Sequence, residues 1–204
     1  MHFLSILLFA FSANIDNFTV GIAYGIKRMK IGFSSNLLIA VVTAAGTFLS
    51  MAIGLMFVKI LPPSLANAIG SILLMGIGVW AIKNYFLEQP QPPEAVHADP
   101  LSNCNQLLKD PEKADRDQSG SIDLRESFFL ALALTINNVG LGIGASITGL
   151  NVLATVSCTF LFSLLSIALG CFIGKGCLSA FFGKYAQLIS GLIILLLGVY
   201  EWIV

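Results

Sequence analysis

Charge is what this chain has least of. Only 11% of its 204 residues are charged, and eleven basic residues balance eleven acids. No basic face is available for nucleic acid, so no such partner is expected. With 56% hydrophobic residues and a mean hydropathy of +0.87, a soluble domain of this length is excluded as well. Histidine and cysteine are nearly as scarce, at two and four residues. Cys104 falls in a long polar loop, while Cys158, Cys171 and Cys177 cluster in or near one apolar stretch. No C-x-x-C occurs, which argues against a thiol-disulfide shuttle and leaves the buried thiols as small hydrophobes.

What is present in quantity is apolar sequence in blocks of spanning length. The blocks run over 3–26, 33–60, 65–87, 128–149, 152–174 and 182–204, each near the roughly 20 residues a membrane helix needs. An all-α membrane protein with six transmembrane helices is expected. The first block has no basic flank ahead of it and carries Asp16 and Asn17 where a cleavage site would sit, so a retained helix is expected rather than a signal peptide. Ten of the eleven basic residues follow the first, third and fifth blocks; Lys59 alone lies on the other side. The positive-inside rule then makes those loops cytoplasmic and puts both termini outside.

Two polar motifs interrupt this apolar background. Asn14-Ile15-Asp16-Asn17 lies in the first block, and Thr135-Ile136-Asn137-Asn138 lies 121 positions later in the fourth. An ionisable group at bilayer depth is costly and is usually kept to bind or move an ion, so a transporter is expected rather than an enzyme. The recurrence extends further. Thr43, Thr47 and Ser50 recur as Thr159, Ser163 and Ser166 at an offset of 116, and Gly78, Val79 and Trp80 recur as Gly198, Val199 and Tyr200 at an offset of 120. Three helices per half is an odd number, so the halves must cross in opposite senses. The expected plan is two inverted three-helix repeats, 1–87 and 128–204, joined by a cytoplasmic linker over 88–127, with a site near the midplane between them.

Each hydroxyl triad is spaced by four and three residues and therefore shares one helix face. Around Asp16 the candidate ligands are Asn14, Asn17, Asn137, Asn138, Thr43, Thr47, Ser50, Thr159, Ser163 and Ser166. All offer hard oxygen, which suits Mn, Mg or Ca better than Zn or Cu(I). The plainer reading is that Asp16 is tied to its amide neighbours and that the hydroxyls only pack helices.

The linker holds nine of the eleven acids and opens on a proline-rich stretch. Its end, Asp115-Arg-Asp117-Gln-Ser119-Gly120-Ser121-Ile122-Asp123-Leu-Arg-Glu126, fills the twelve-residue EF-hand pattern, with ligands expected from Asp115, Asp117, Ser119, the Ser121 carbonyl, Asp123 and Glu126. Calcium bound over 115–126 would pull directly on the helix that carries Asn137. An acidic turn that caps that helix is the plainer alternative.

The segment S-A-N-I-D-N-F-T-V-G-I-A-Y-G-I, its partner A-L-T-I-N-N-V-G-L-G-I-G-A and the D-R-D-Q-S-G-S-I-D-L-R-E loop together resemble the YtaF branch of the MntP manganese efflux pump family, within the LysE-type exporter group. The resemblance implies a multi-pass protein of the bacterial inner membrane that exports Mn(II), with one essential acid in each motif. Asp16 matches the first acid, but Asn137 stands where the family pattern has Asp. Beside manganese export, two other readings remain open: an exporter of small organic solutes such as amino acids, and a calcium-sensing membrane scaffold. The expected partners are the lipid bilayer and divalent cations, and a homo-oligomer is compatible.

Overall fold

A segment surrounded by lipid must satisfy its own backbone, and for apolar blocks of this length that means helix. The computed structural model describes residues 3–26, 28–59, 63–87, 119–175 and 179–203. Among them are eight helices: α1 (Phe3–Ala13), α2 (Ile15–Ile26), α3 (Phe33–Val58), α4 (Pro63–Leu87), α5 (Leu124–Asn137), α6 (Val139–Ile147), α7 (Val152–Gly174) and α8 (Ser179–Ile203). Local chemistry marks several ends. Pro63 opens α4, where a missing N–H costs nothing. The Asn151 side chain caps α7 by accepting from the Ala154 N–H at 3.0 Å.

The first and fourth blocks are each broken in two, which the count of apolar blocks did not anticipate. Asn14 separates α1 from α2, and Asn138 separates α5 from α6 with a bend of 47°. Four helical stretches are long and apolar enough to cross a membrane among the described residues, and a fifth if the bent pair is one span. The expected sixth forms α8, whose apolar part, Leu188–Ile203, is shorter. The chain is thus a multi-pass, all-helical membrane protein with four to five candidate spans.

Helix ends recur in form. After α2 the Arg28 N–H donates to the Gly25 carbonyl and the Met29 N–H to the Tyr24 carbonyl; after α6 the Gly149 N–H donates to Ser146 and the Leu150 N–H to Ala145. Both are Schellman caps, with Arg28 at φ 56° and Gly149 at φ +85° in the left-handed position. Beyond Arg28 the strand β1 (Lys30–Ile31) pairs in parallel with β2 (Ser121–Ile122), which was not expected in an all-helical chain. The Ser35 hydroxyl adds a 2.8 Å bond to the Ile122 carbonyl. The end of the linker is thereby fastened to the turn between α2 and α3.

Packing runs α4 along α8, α2 along α7, and α3 across α5, α6 and α7. Close approach is achieved by glycine. A Cβ on Gly21 would lie 2.7 Å from the Ile167 carbonyl oxygen, and one on Gly25 would lie 2.5 Å from that of Cys171. Gly78 sits against Gly191 and Leu195, and Gly198 against Ser71 and Met75. The core divides into two apolar clusters. One contains Ile6, Phe9, Met51, Leu74, Leu141, Leu150, Ile194 and Leu197, and the other Val20, Tyr24, Met29, Ile39, Ile122, Leu130, Leu134 and Ile167. Along α3 the order is Ile39, then Thr43 and Thr47, then Met51; along α5 and α6 it is Leu134, then Asn138, then Leu141. A polar layer therefore separates the clusters. Large apolar side chains such as Phe33, Leu153 and Phe172 face outward, as lipid-facing positions should.

Gly25→Ala is expected to destabilise the protein by about 1–3 kcal/mol through overpacking of the α2–α7 contact. Gly76→Ala, where a Cβ meets nothing within 4 Å, is expected to stabilise it by about 0.5–1 kcal/mol through helix propensity. Thermal midpoints of the purified variants in one detergent should move in opposite directions.

Candidate functional site

Asn amides can bond to the backbone of their own helix, and that competition loosens a helix where it occurs. Asn14 does this at the α1–α2 break: its Nδ2 donates to the Ala10 carbonyl at 2.7 Å and also reaches the Thr159 carbonyl on α7 at 3.3 Å. Its Oδ1 accepts from Asn17 Nδ2 at 2.9 Å, and the same Asn17 amide donates to Ser163 Oγ at 2.8 Å. Both asparagines are fully buried. The first break is thus stitched to α7 at Thr159 and Ser163.

The second break is stitched to the first. Asn138 Nδ2 donates to the Ala13 carbonyl at 2.8 Å and to its own Leu134 carbonyl at 3.2 Å. Ala13 is the last residue of α1, so a carbonyl at the end of one broken helix finds its donor at the break of the other. Thr135 packs its methyl on Gly46 of α3, and Gly142 receives the Ser50 hydroxyl.

Asp16 is the second residue of α2 and half-buried, beside this cluster in sequence and in the same layer. Three oxygens of other residues in the layer have no hydrogen-bond partner although they are buried: Asn17 Oδ1, Thr135 Oγ1 and Thr159 Oγ1. An unpaired buried oxygen costs about 1–3 kcal/mol. Three in one layer, at the depth of Asp16, are oxygen donors that a hard cation would satisfy.

The sequence-derived candidates divide accordingly. Asn14, Asn17, Asn138, Thr159 and Ser163 are joined in one network or border it directly. Thr43, Thr47 and Ser50 are buried in the layer, but each hydroxyl donates to a carbonyl of its own helix, at Ile39, Thr43 and Thr47. Ser166 is half-buried and makes no hydrogen bond to the cluster. The Asn137 side chain, like Asp115, Asp117 and the rest of 88–118, lies outside the described residues. Thr135 was missed as a candidate. Its position, 121 after Asn14, was the available signal.

The described half of the EF-hand-like loop forms a helix start. Gly120 holds φ +74°, and Ser119 Oγ donates to the Ser121 carbonyl at 2.9 Å. Asp123 and Glu126 make a capping box for α5, with the Asp123 N–H donating to Glu126 Oε2 at 3.1 Å. Among the described residues no three His, Cys, Asp or Glu side chains gather as a metal cluster.

Residues 105–200 match the family model described as "Mntp: Putative manganese efflux pump". The chain is 34% identical over 178 residues to the "Probable sporulation protein YtaF" of Bacillus subtilis (strain 168), which covers 83% of this chain and 85% of that one. The chain belongs to the MntP family. A second relative, the "Putative manganese efflux pump MntP" of Clostridium perfringens (strain SM101 / Type A), is 25% identical over 203 residues, covering 98% of this chain and 93% of its own. No solved structure matches. Within this MntP-family chain, the two motifs that carried the resemblance are the two helix breaks.

Asn138→Ala would strip the Ala13 carbonyl of its donor. It is expected to cost about 1–3 kcal/mol of stability, read as a lowered thermal midpoint, whereas Ser166→Ala should leave the stability within about 0.5 kcal/mol of the parent and the midpoint nearly unmoved.

Proposed function

We propose that the chain exports a divalent cation, Mn(II), through the polar layer between two inverted three-helix repeats, 1–87 and 128–204. The observation that carries this reading is the set of buried, unpartnered oxygens of Asn17, Thr135 and Thr159 in the layer that holds Asp16. The family supports manganese as the ion, and hard oxygen donors agree with it. Packing supports the repeat: Gly78 on Gly191 and Leu195 is answered by Gly198 on Ser71 and Met75, each pair offset by 120, and the Schellman caps at Arg28 and Gly149 are offset by 121.

Where the family pattern has a second acid, this chain has Asn137, so Asp16 balances one of the two charges of the ion. Neutral amide and hydroxyl oxygens of the layer supply the remaining ligands. Asp16 therefore holds the ion electrostatically while Asn14, Asn17, Asn138, Thr159 and Ser163 shape the passage. With both termini outside and the linker cytoplasmic, as the basic residues indicate, the ion moves from the linker side to the terminal side.

Calcium at 115–126 is the regulatory part of the proposal. The left-handed Gly120 and the β2 pairing of Ser121–Ile122 fit such a loop. A bound ion would take Glu126 from its cap on Asp123, and β1 would carry the change to α2.

Asp16→Asn is expected to reduce Mn(II) efflux from loaded cells at least tenfold while the purified protein keeps its thermal midpoint; unchanged efflux would sink the export reading. For the loop, calcium should raise the thermal midpoint of the full chain, and Asp117→Asn should abolish the rise. A calcium-independent midpoint in the parent would remove the regulatory part alone.

A further inference from the structure

Only two acids lie outside the linker, Asp16 and Glu201. Glu201 occupies the last turn of α8, where a carboxylate ordinarily reaches headgroup water at little cost. Instead it is 2% exposed, while Tyr200 and Trp202 on either side face outward. A carboxylate turned inward at that depth calls for a chemical reason.

The packing registers show which helices lie beside it. Ser12 and Ser190 exchange hydrogen bonds at 3.1–3.2 Å, which fixes α1 beside α8 at that level. Ile6 and Phe9, before Ser12, cluster with Ile194 and Leu197, after Ser190, so the two helices run antiparallel. Ser5 is seven residues from Ser12 and Glu201 eleven from Ser190; at about 100° per residue both stay within about 20° of the contacting faces. From α4, Ser71 comes to the same end, since a Cβ on Gly198 would lie 3.0 Å from the Ser71 carbonyl oxygen. Thr148 borders the group at Gly70.

Ser5 and Ser71 are 1% and 0% exposed, and the Oγ of each has no hydrogen-bond partner. Thr43, Thr47 and Ser50 show the ordinary alternative, donation to their own helix backbone. The two buried hydroxyls that forgo it stand on α1 and α4 near the level of Leu197 and Gly198, about one turn before Glu201, whose side chain leans back toward the N-terminus of its helix. We propose that Ser5, Ser71 and Glu201 bind a hard divalent cation, Mn(II) or Mg(II), at the end of the bundle that carries both termini. One carboxylate and two hydroxyls leave the ion part of its water shell, as such ions prefer. The site is separate from the midplane: Glu201 lies roughly 16 Å along α8 from Ser190, and Asp16 lies on the opposite side of Ser12. It rests on the export reading only in its role, which is to receive the ion on its way out.

The test counts Mn(II) bound per full-length chain in nanodiscs by electron paramagnetic resonance. Glu201→Gln should lower the count by one ion in the parent and equally in Asp16→Asn, so binding at the layer or at the linker loop cancels. An unchanged count in both backgrounds overturns the proposal. Ser71→Cys replaces a hard donor with a soft one and, in the Asp16→Asn background, should shift preference toward Cd(II) over Mn(II) at least tenfold. This decides the matter if Glu201→Gln does not fold, and an unshifted preference overturns the proposal. Failure of the export reading shows elsewhere, as normal Mn(II) efflux by Asp16→Asn, and leaves the ion count at Glu201 to stand or fall alone.

Discussion

The hydrogen bond from Asn138 to the Ala13 carbonyl holds the rest of the architecture in register. Breaking a helix inside a membrane exposes backbone groups that no water can satisfy, and each exposed group is expensive. Two breaks at the same depth offer a solution, because the donor at one can serve the carbonyl at the other. Once they meet, α1 and α5 are fixed end to end against a common layer, and α3 and α7 close around them. Asn14 and Asn17 extend the same device to α7 through Thr159 and Ser163.

The layer so formed is polar because it sits between two apolar clusters that exclude water from above and below. In such surroundings the effective dielectric is low, and oxygen ligands act more strongly on an ion than they would in water. In the export proposal a single carboxylate, Asp16, is then the charged counterpart of the divalent cation. It is also weaker than a pair of carboxylates, which suits the export proposed above, where an ion must leave as well as enter.

Much of this was readable in the sequence, and the omissions have physical causes. Apolar blocks of about 20 residues announce membrane helices whatever their neighbours. The doubled motif and the second hydroxyl triad named residues that the fold brings together, Asn14, Asn17 and Asn138 from the first and Thr159 and Ser163 from the other. The breaks were not readable, because an Asn within an apolar run has the same composition whether its amide bonds to its own helix or to another. Nor was the pairing of Lys30–Ile31 with Ser121–Ile122, a two-residue contact across some ninety positions with no periodicity of its own. Thr43, Thr47 and Ser50 had the right face but turned out to bond back to α3, which spacing alone cannot reveal. Glu201 passed unnoticed for the opposite reason. At the end of a span a Glu reads as an interfacial residue, and only the packing of α1 and α4 shows that it points inward.

In the mechanism proposed for this chain, the helix breaks create a divalent-cation site. Anomalous scattering from crystals soaked in Mn(II) tests it most directly. A peak within coordination distance of the Asp16 carboxylate, with Asn17 Oδ1 and Thr159 Oγ1 turned toward it, is the predicted result. A layer with no peak at saturating Mn(II), in crystals that bind the ion elsewhere, would contradict it.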